Sequence, residues 1–328
     1  MPAEPLPRVR IVSPALAAAN NGNWHTAARW RRLLAPVATV EIATSLADGE
    51  DVDLLIALHA RRSADAIARL HARRPQVPIV VVLTGTDLYR DLDVDAAARH
   101  SLECASRIVV LQEEGLTRLA GANRAKARVI VQSAPALVAR HGPGDADFVA
   151  VGHLRDEKDP DTLMRAARLL AIDAAAPSID HIGAALDARF AAAARATMAA
   201  CPAYRWLGPL AHAAARRAIA RARALVHTSR LEGGANVVIE AVRSRVPVLA
   251  SRIDGNVGLL GRDYEGYFAV GDAAALAALM RRFVADAAFA LRLAAQCAAR
   301  EPLFREAAER RAVRALVSDL VPARPGEH

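Results

Sequence analysis

The chain has 328 residues, 53% of them hydrophobic and 24% charged, which is enough apolar material for a full core and excludes wholesale disorder; at about 150 residues per domain the length predicts two domains. Its 43 basic and 35 acidic residues give a net charge of +8. Lysine occurs only at Lys126 and Lys158, the arginines are spread along helix-like segments and aromatics are scarce, so no nucleic-acid partner is expected and an anionic small substrate suits the charge.

Three widely separated cysteines, Cys104, Cys201 and Cys297, without a CxxC, argue against a disulfide framework or zinc site and point to a cytoplasmic location. No apolar run approaches the roughly 18 residues of a membrane span, and no stable membrane association is expected. The apolar stretch Ile11–Ala19 contains Pro14 and runs into Asn20-Asn21-Gly22-Asn23, so it reads as a first strand and its polar loop rather than a signal peptide.

In chain order, strands are expected at Arg8–Ser13, Ala38–Ile42, Val52–Leu58, Ile79–Leu83, Arg107–Leu111 and Arg128–Val131. Helices are expected near Trp24–Leu34, Ala64–Arg73, Val94–Ala105 and Glu113–Ala120. The strand runs are continuously apolar, as in strands covered on both faces, and their alternation with helices predicts a parallel, doubly wound sheet. The turn-rich His141-Gly142-Pro143-Gly144-Asp145 marks a boundary. A second series follows: strands at Phe148–Gly152, Ser178–Ile182, Tyr204–Leu207, Ala224–His227, Pro247–Ala250 and Tyr267–Ala269, and helices at Asp161–Leu170, Leu186–Met198, Ala211–Ala220, Val237–Ser244 and Ala273–Asp286. The tail Ala287–Val321 reads as purely helical. The predicted organisation is α/β throughout: a Rossmann-like domain over 1–143, a second over 144–300, and a C-terminal helix over 301–328 packing back on the first. Two such domains face a central cleft lined by the carboxyl ends of both sheets, where ligands of open sheets bind.

Two segments carry chemistry. Ser229-Arg230-Leu231-Glu232-Gly233-Gly234-Ala235-Asn236 follows a strand and opens a helix. Gly233, Gly234 and Ala235 leave backbone N–H groups accessible at a helix start, which favours an anion. Glu240, about one turn into that helix, suits the vicinal hydroxyls of a ribose. A plain helix cap with a solvated glutamate fits the same pattern. The other segment is Gly152-His153-Leu154-Arg155-Asp156-Glu157-Lys158-Asp159-Pro160, between a strand and a helix. Arg155 and Lys158 are placed to clamp a departing diphosphate, Lys158 as a compact point charge; a loop salt-bridged among Asp156, Glu157 and Asp159 is the structural alternative.

Together, GHLRDEKDP and EGGANVVIEA, with the Glu–x7–Glu spacing intact, resemble the nucleotide-sugar signature of GT-B glycosyltransferases of the glycosyltransferase-4 type. The resemblance runs over residues 148–285, including PVLAS and VGDAAALAALM. The family's usual arginine after the glycine is His153 here, and its EGFG is EGGAN, which brings the Asn236 amide near the sugar. These details, with the stretches Gly22–Trp30 and Leu83–Tyr89, are similar to the selenosugar synthases of selenoneine biosynthesis.

The resemblance implies transfer of a sugar from a UDP-sugar, UDP-N-acetylglucosamine being expected, to selenophosphate with release of UDP, and functional coupling to a carbon–selenium bond-forming enzyme. It implies that Glu240 and His153 bind the nucleotide sugar with Gly233–Asn236, while Glu232 positions sugar hydroxyls. Acceptor loops are expected at Gly22 and Asn23, at Arg61, and at Thr84, Gly85 and Thr86, with His59 and Asp87 as candidate bases or orienters. Asp87 capping its own turn is the alternative. No metal or other cofactor is expected: Asp51/Asp53 borders a strand and Asp93/Asp95 caps a helix. A conventional transferase with a hydroxyl acceptor and a UDP-sugar epimerase are the competing readings.

Overall fold

A computed structural model of the protein describes residues 5–16, 22–173 and 175–321. They form two compact units: one runs up to Gln132 and takes in the segment from Glu306, the other is Ser133–Arg305. The first contains β1 (Arg8–Val12), α1 (Gly22–Leu34), β2 (Thr39–Ala43), β3 (Leu54–Leu58), α2 (Ala64–Arg73) and β4 (Ile79–Leu83). A π turn at Asp87–Asp91 follows, then α3 (Leu92–Val94), α4 (Ala96–Cys104), β5 (Arg107–Val110), a 3-10 turn at Glu113–Arg118, α5 (Gly121–Ala125) and β6 (Ala127–Val129).

The six strands pair in parallel in the order β2-β1-β3-β4-β5-β6. Every residue of β3 and β4 is buried, which is why these runs are apolar without alternation. Their side chains feed two layers. Leu55, Ala57 and Val81 pack with Ile67, Leu70 and Leu102 on one face; Ile56, Leu58, Val80 and Val82 pack with Trp30, Leu33 and Leu34 on the other.

The second unit holds β7 (Phe148–Val151), a 3-10 turn at Asp156–Lys158, α6 (Pro160–Leu170), β8 (Ile179–Ile182), α7 (Ala188–Ala200), β9 (Tyr204–Gly208), α8 (His212–Arg221) and β10 (Ala224–His227). Next come α9 (Asn236–Arg243), β11 (Val248–Ser251), α10 (Asp254–Leu260), β12 (Tyr267–Phe268), α11 (Ala273–Ala285), α12 (Ala287–Arg300) and a 3-10 turn at Glu301–Phe304. Its sheet is also parallel, in the order β12-β11-β10-β7-β8-β9. Strand order reverses between β1 and β3 in the first sheet and between β7 and β10 in the second. The carboxyl ends of those pairs are where a doubly wound sheet binds its ligand. The final helix, α13 (Glu306–Leu320), belongs to the first unit, where Val313, Leu316 and Val317 join the layer under α1.

Several elements differ from expectation. Gly22 and Asn23 begin α1 rather than lying in a turn, while Asn20 and Asn21 lie outside the described residues. The helix expected from Val94 is broken at Asp95, whose extended backbone and side-chain bond to Ala98 N start α4 afresh. Glu113–Arg118 is a 3-10 turn, capped by Gln112 accepting from Gly115 N, rather than an α-helix. The tail is interrupted by Pro302 and the extended Arg305. The division falls at Gln132–Ser133, ahead of the His141–Asp145 turn: Ala134 N donates to Phe304 O, Arg243 Nε to Ala134 O and Arg216 Nη2 to Pro135 O, binding this segment to the second unit. Among the described residues no helix is long and apolar enough to cross a membrane.

Candidate active site

The loops after β7 and β10, the strands flanking the reversal in the second unit, are stitched together. Thr228 Oγ1 donates to Lys158 O at 2.8 Å, Arg230 N to Glu157 O at 2.9 Å, and Arg230 Nη2 to Asp159 Oδ1 at 3.0 Å. Asp159 takes a left-handed conformation (φ 46°), and Thr162 Oγ1 donates to its Oδ2 at 2.7 Å. Pro160 then opens α6, its missing N–H being one a helix start does not use. The loop end of β7 lies against β8: a Cβ on Gly183 (φ 155°) would sit 1.9 Å from Gly152 O.

Lys158 and Glu232 meet in this frame, Nζ to Oε1 at 2.5 Å. Ser229 Oγ donates to the same oxygen at 2.8 Å, and His227 Nε2 lies 3.5 Å from it. Burial alone would raise this carboxyl, but the charge of Lys158, with His227, holds it well below the usual carboxylate range. Among the described residues every bond from the carboxylate to the protein falls on Oε1, and Oε2 is not among the buried unpaired atoms. Glu232 is therefore an ionised acceptor with one oxygen clamped and the other open. Its main chain is also fixed, because Gly255 packs so closely that a Cβ there would lie 2.2 Å from Glu232 O.

Gly233 and Gly234 form the bend before α9, Ala235 is its N-cap residue without a side-chain cap bond, and Asn236 is its first residue. The Asn236 side chain makes no hydrogen bond among the described residues. The first N–H groups of α9 are thus left to a ligand or to water. Glu240 is buried in α9; its Oε1 accepts from His212 Nε2 at 2.6 Å and lies 4.0 Å from Arg216 Nε, and its Oε2 has no protein partner among the described residues. Arg155 is half-exposed, with Glu157 at 3.7 Å. Asp156 pairs with Arg189 and Asp159 with Arg230, so of the three loop carboxylates Glu157 is the one that faces Arg155. His153 Nδ1 accepts from Ala184 N at 3.3 Å; burial, then the charges of Arg155 and Lys158, push its imidazole down and keep it neutral.

In the first unit the loop after β3 begins at His59, itself at positive φ (74°) and buried. Asp87 Oδ2 accepts from Ala60 N at 3.0 Å, and Oδ1 accepts from Thr84 N at 2.9 Å and Gly85 N at 2.8 Å. The predicted candidate base is thus a fully buried staple joining the loops after β3 and β4. Gly85, at φ 141°, has a backbone that a side chain would strain. His59 Nδ1 accepts from Arg62 N at 3.4 Å, so the ring proton sits on Nε2, 2.9 Å from Thr86 Oγ1. Burial pushes His59 down despite the facing Asp87 and Asp91. Arg61 Nε donates to Asp91 Oδ2 at 2.8 Å and the side chain stays half-exposed. Gly22 O accepts from Thr26 Oγ1 at 2.8 Å, and Asn23 is the next residue of α1.

The motif spacing located Glu232, Glu240, Lys158 and the α9 bend. It missed His227, Ser229 and His212, and in the first unit Asp91, because a single polar residue at a strand end or helix start carries no periodic signal. Asp51 pairs with Arg8 and Arg74, and Asp93 approaches Arg118. Among the described residues no three metal-ligating side chains converge.

Residues 138–301 match the family model for glycosyl transferases group 1. No curated protein sequence matches the chain. Solved structures do. Anabaena Alr3699/HepE, in complex with UDP and glucose, is 15% identical over 95% of this chain and 100% of its own, with a TM-score of 0.75. Sucrose-phosphate synthase from Thermosynechococcus elongatus is 17% identical over 96% and 99%, with a TM-score of 0.76. The pneumococcal O-GlcNAc transferase GtfA, in complex with UDP and GlcNAc, is 14% identical over 82% of this chain and 57% of its own, with a TM-score of 0.63. At these identities the likeness is one of fold, and the fold is GT-B.

Proposed function

The chain belongs to the group 1 glycosyl transferases, and from that premise we propose that it transfers a sugar from a UDP-sugar, UDP-N-acetylglucosamine, to selenophosphate. The observation that carries the donor half is the Lys158–Glu232 pair beside the uncapped start of α9, at the strand reversal of the second sheet. The backbone N–H groups at Gly233–Asn236 and the cations Lys158 and Arg155 hold the diphosphate. Glu240 accepts from the ribose through Oε2, and Glu232 Oε2 and the Asn236 amide hold sugar hydroxyls. The neighbours whose structures contain UDP support a UDP-sugar donor.

The acceptor half draws on the loops of the first unit. Arg61, the Gly85 region and the Thr86 hydroxyl, which accepts from His59 and keeps its own proton to donate, suit an oxyanion. A hydroxyl acceptor needs a base, and neither candidate is free: Asp87 accepts three backbone N–H groups, and His59 presents N–H at Nε2. An acceptor already anionic at selenium needs none. In the step, selenium donates an electron pair to C1, the C1–O bond breaks, and that pair leaves on the β-phosphate of UDP, whose charge Lys158 and Arg155 offset. Water then cleaves P–Se to release phosphate, and the selenosugar is handed to a carbon–selenium bond-forming enzyme. The charge chemistry is complete without a metal, and a reducing cytoplasm preserves the selenol.

The test is mass spectrometry of products from UDP-N-acetylglucosamine with selenophosphate, thiophosphate or phosphate. A selenosugar with stoichiometric UDP is expected with selenophosphate, a thiosugar with UDP more slowly with thiophosphate, and neither with phosphate. Turnover only with a hydroxyl acceptor would favour the conventional transferase, and consumption of UDP-sugar with no acceptor would favour an epimerase.

A further inference from the structure

His227 is the last residue of β10 and is 3% exposed. It lies outside every motif that marks the donor site, yet its Nε2 is 3.1 Å from Ser229 Oγ and 3.5 Å from Glu232 Oε1. Ser229 spends its single proton on Glu232 Oε1, at 2.8 Å. Toward His227 it therefore accepts, which puts the imidazole proton on Nε2. The other ring nitrogen, Nδ1, is buried without a partner among the described residues. An unpaired buried nitrogen opposes folding, and the neighbouring strand positions, Ala224, Leu225 and Val226, are filled by apolar side chains. What a histidine adds here over an aliphatic residue is the Nε2–H.

We propose that His227 is a positioning residue for the donor sugar. Acting through the Ser229 hydroxyl, which it orients by donating Nε2–H, and with its ring 3.5 Å from Glu232 Oε1, it supports the two-donor clamp of Ser229 and Lys158 on that oxygen, and so holds Oε2 in the one orientation that accepts a sugar hydroxyl. The ligand it governs is the sugar portion of a sugar nucleotide, not the nucleotide. This rests on the donor-site reading above.

Calorimetric titration of the full chain with UDP and with UDP-N-acetylglucosamine separates the two. His227→Leu and Ser229→Ala are each expected to leave the Kd for UDP within about twofold of the parent. Each should weaken UDP-N-acetylglucosamine binding about tenfold. The double variant should lose little more than either alone, because both act on one oxygen. His227→Gln, which returns an amide N–H close to the position of Nε2, should restore most of the loss. Unchanged sugar-nucleotide affinity in His227→Leu overturns the proposal, as does an equal loss for both ligands, which would mark a purely structural strand end. If His227→Leu does not fold, Ser229→Ala decides the matter through the same ratio of affinities. A parent protein that binds neither ligand overturns the donor reading itself, and the inference with it.

Discussion

At the scale of single residues the decisive contrast is between two kinds of carboxylate. Asp87 is saturated by three backbone N–H groups, so it fixes a loop. Glu232 and Glu240 are each held by one oxygen, so the other is available for work. The sequence displays only residue type and spacing, which is why Asp87 reads there as a base and the two glutamates as a pair. Lys158 tests the distinction. Lys158→Ala should cut kcat/KM by about 100-fold or more, the scale of losing a group that stabilises departing charge. It should lower stability by about 2–3 kcal/mol, since the largely buried Glu232 loses its charged partner while keeping the Ser229 hydrogen bond, and the variant should still fold. The pH profile should move as well. With the cation gone, the Glu232 carboxyl loses its largest lowering influence and rises from its depressed position, while His227 still lowers it. A carboxylate with a depressed folded pKa keeps its charge until the pH falls through that low value, so the parent should show no acid limb near pH 5. In the variant the acid limb should move to higher pH than in the parent. A profile identical in shape to the parent, or an equal loss of folding, counts against the clamp.

At the scale of elements, the strands were the legible part. Parallel strands buried on both faces are apolar, and β3 and β4 are so throughout, as is β10 up to its last residue, His227. Helices were less legible wherever the local backbone overrode composition. Residues 254–260 contain Gly255, Asn256 and Gly258 and look like a loop, yet they form α10, because glycine at 255 lets the helix start against the Glu232 carbonyl. That dependence on tertiary approach is invisible to a single sequence. The same physics makes Gly183 a sharp test. A Cβ there meets Gly152 O at 1.9 Å, and the backbone angle is one that side chains rarely adopt. Gly183→Ala should destabilise the second unit by about 2–4 kcal/mol, summing backbone strain and overpacking. The loss should read out as a lower guanidinium midpoint with the slope unchanged. It should also reduce UDP affinity, because the carbonyl displaced is that of the residue over which the Lys158 stem lies, its Cδ being 3.4 Å from a Cβ built at Gly152. An alanine variant as stable as the parent would show that these strand ends yield easily.

At the scale of the whole molecule, the chain is divided by topology rather than by linker composition. Glycine and proline at 141–144 suggested the boundary, but hydrogen bonds from Arg243 and Arg216 carry the preceding segment into the second unit. The first unit is in turn completed by the far end of the chain. Glu309 of α13 is buried, accepts from Trp30 Nε1 at 2.8 Å and pairs with Arg29 Nε at 2.9 Å, while Val313, Leu316 and Val317 cover the layer beneath α1. Charge of this kind is expensive to half-remove: Glu309→Ala leaves the Arg29 guanidinium, whose Nη2 is already buried without a partner, unpaired beside an indole N–H. The expected cost is about 3–5 kcal/mol, borne by the first unit alone. Glu309→Gln, which still accepts from the indole, should lose less. Thermal unfolding of Glu309→Ala should therefore separate into an early transition from the first unit and a later one at the parent temperature. UDP affinity, which the proposed donor site places in the second unit, should stay unchanged at temperatures below the early transition. A single transition shifted as a whole would mean that the two units unfold as one cooperative body, and the stability of the donor site would then depend on a helix remote from it in sequence.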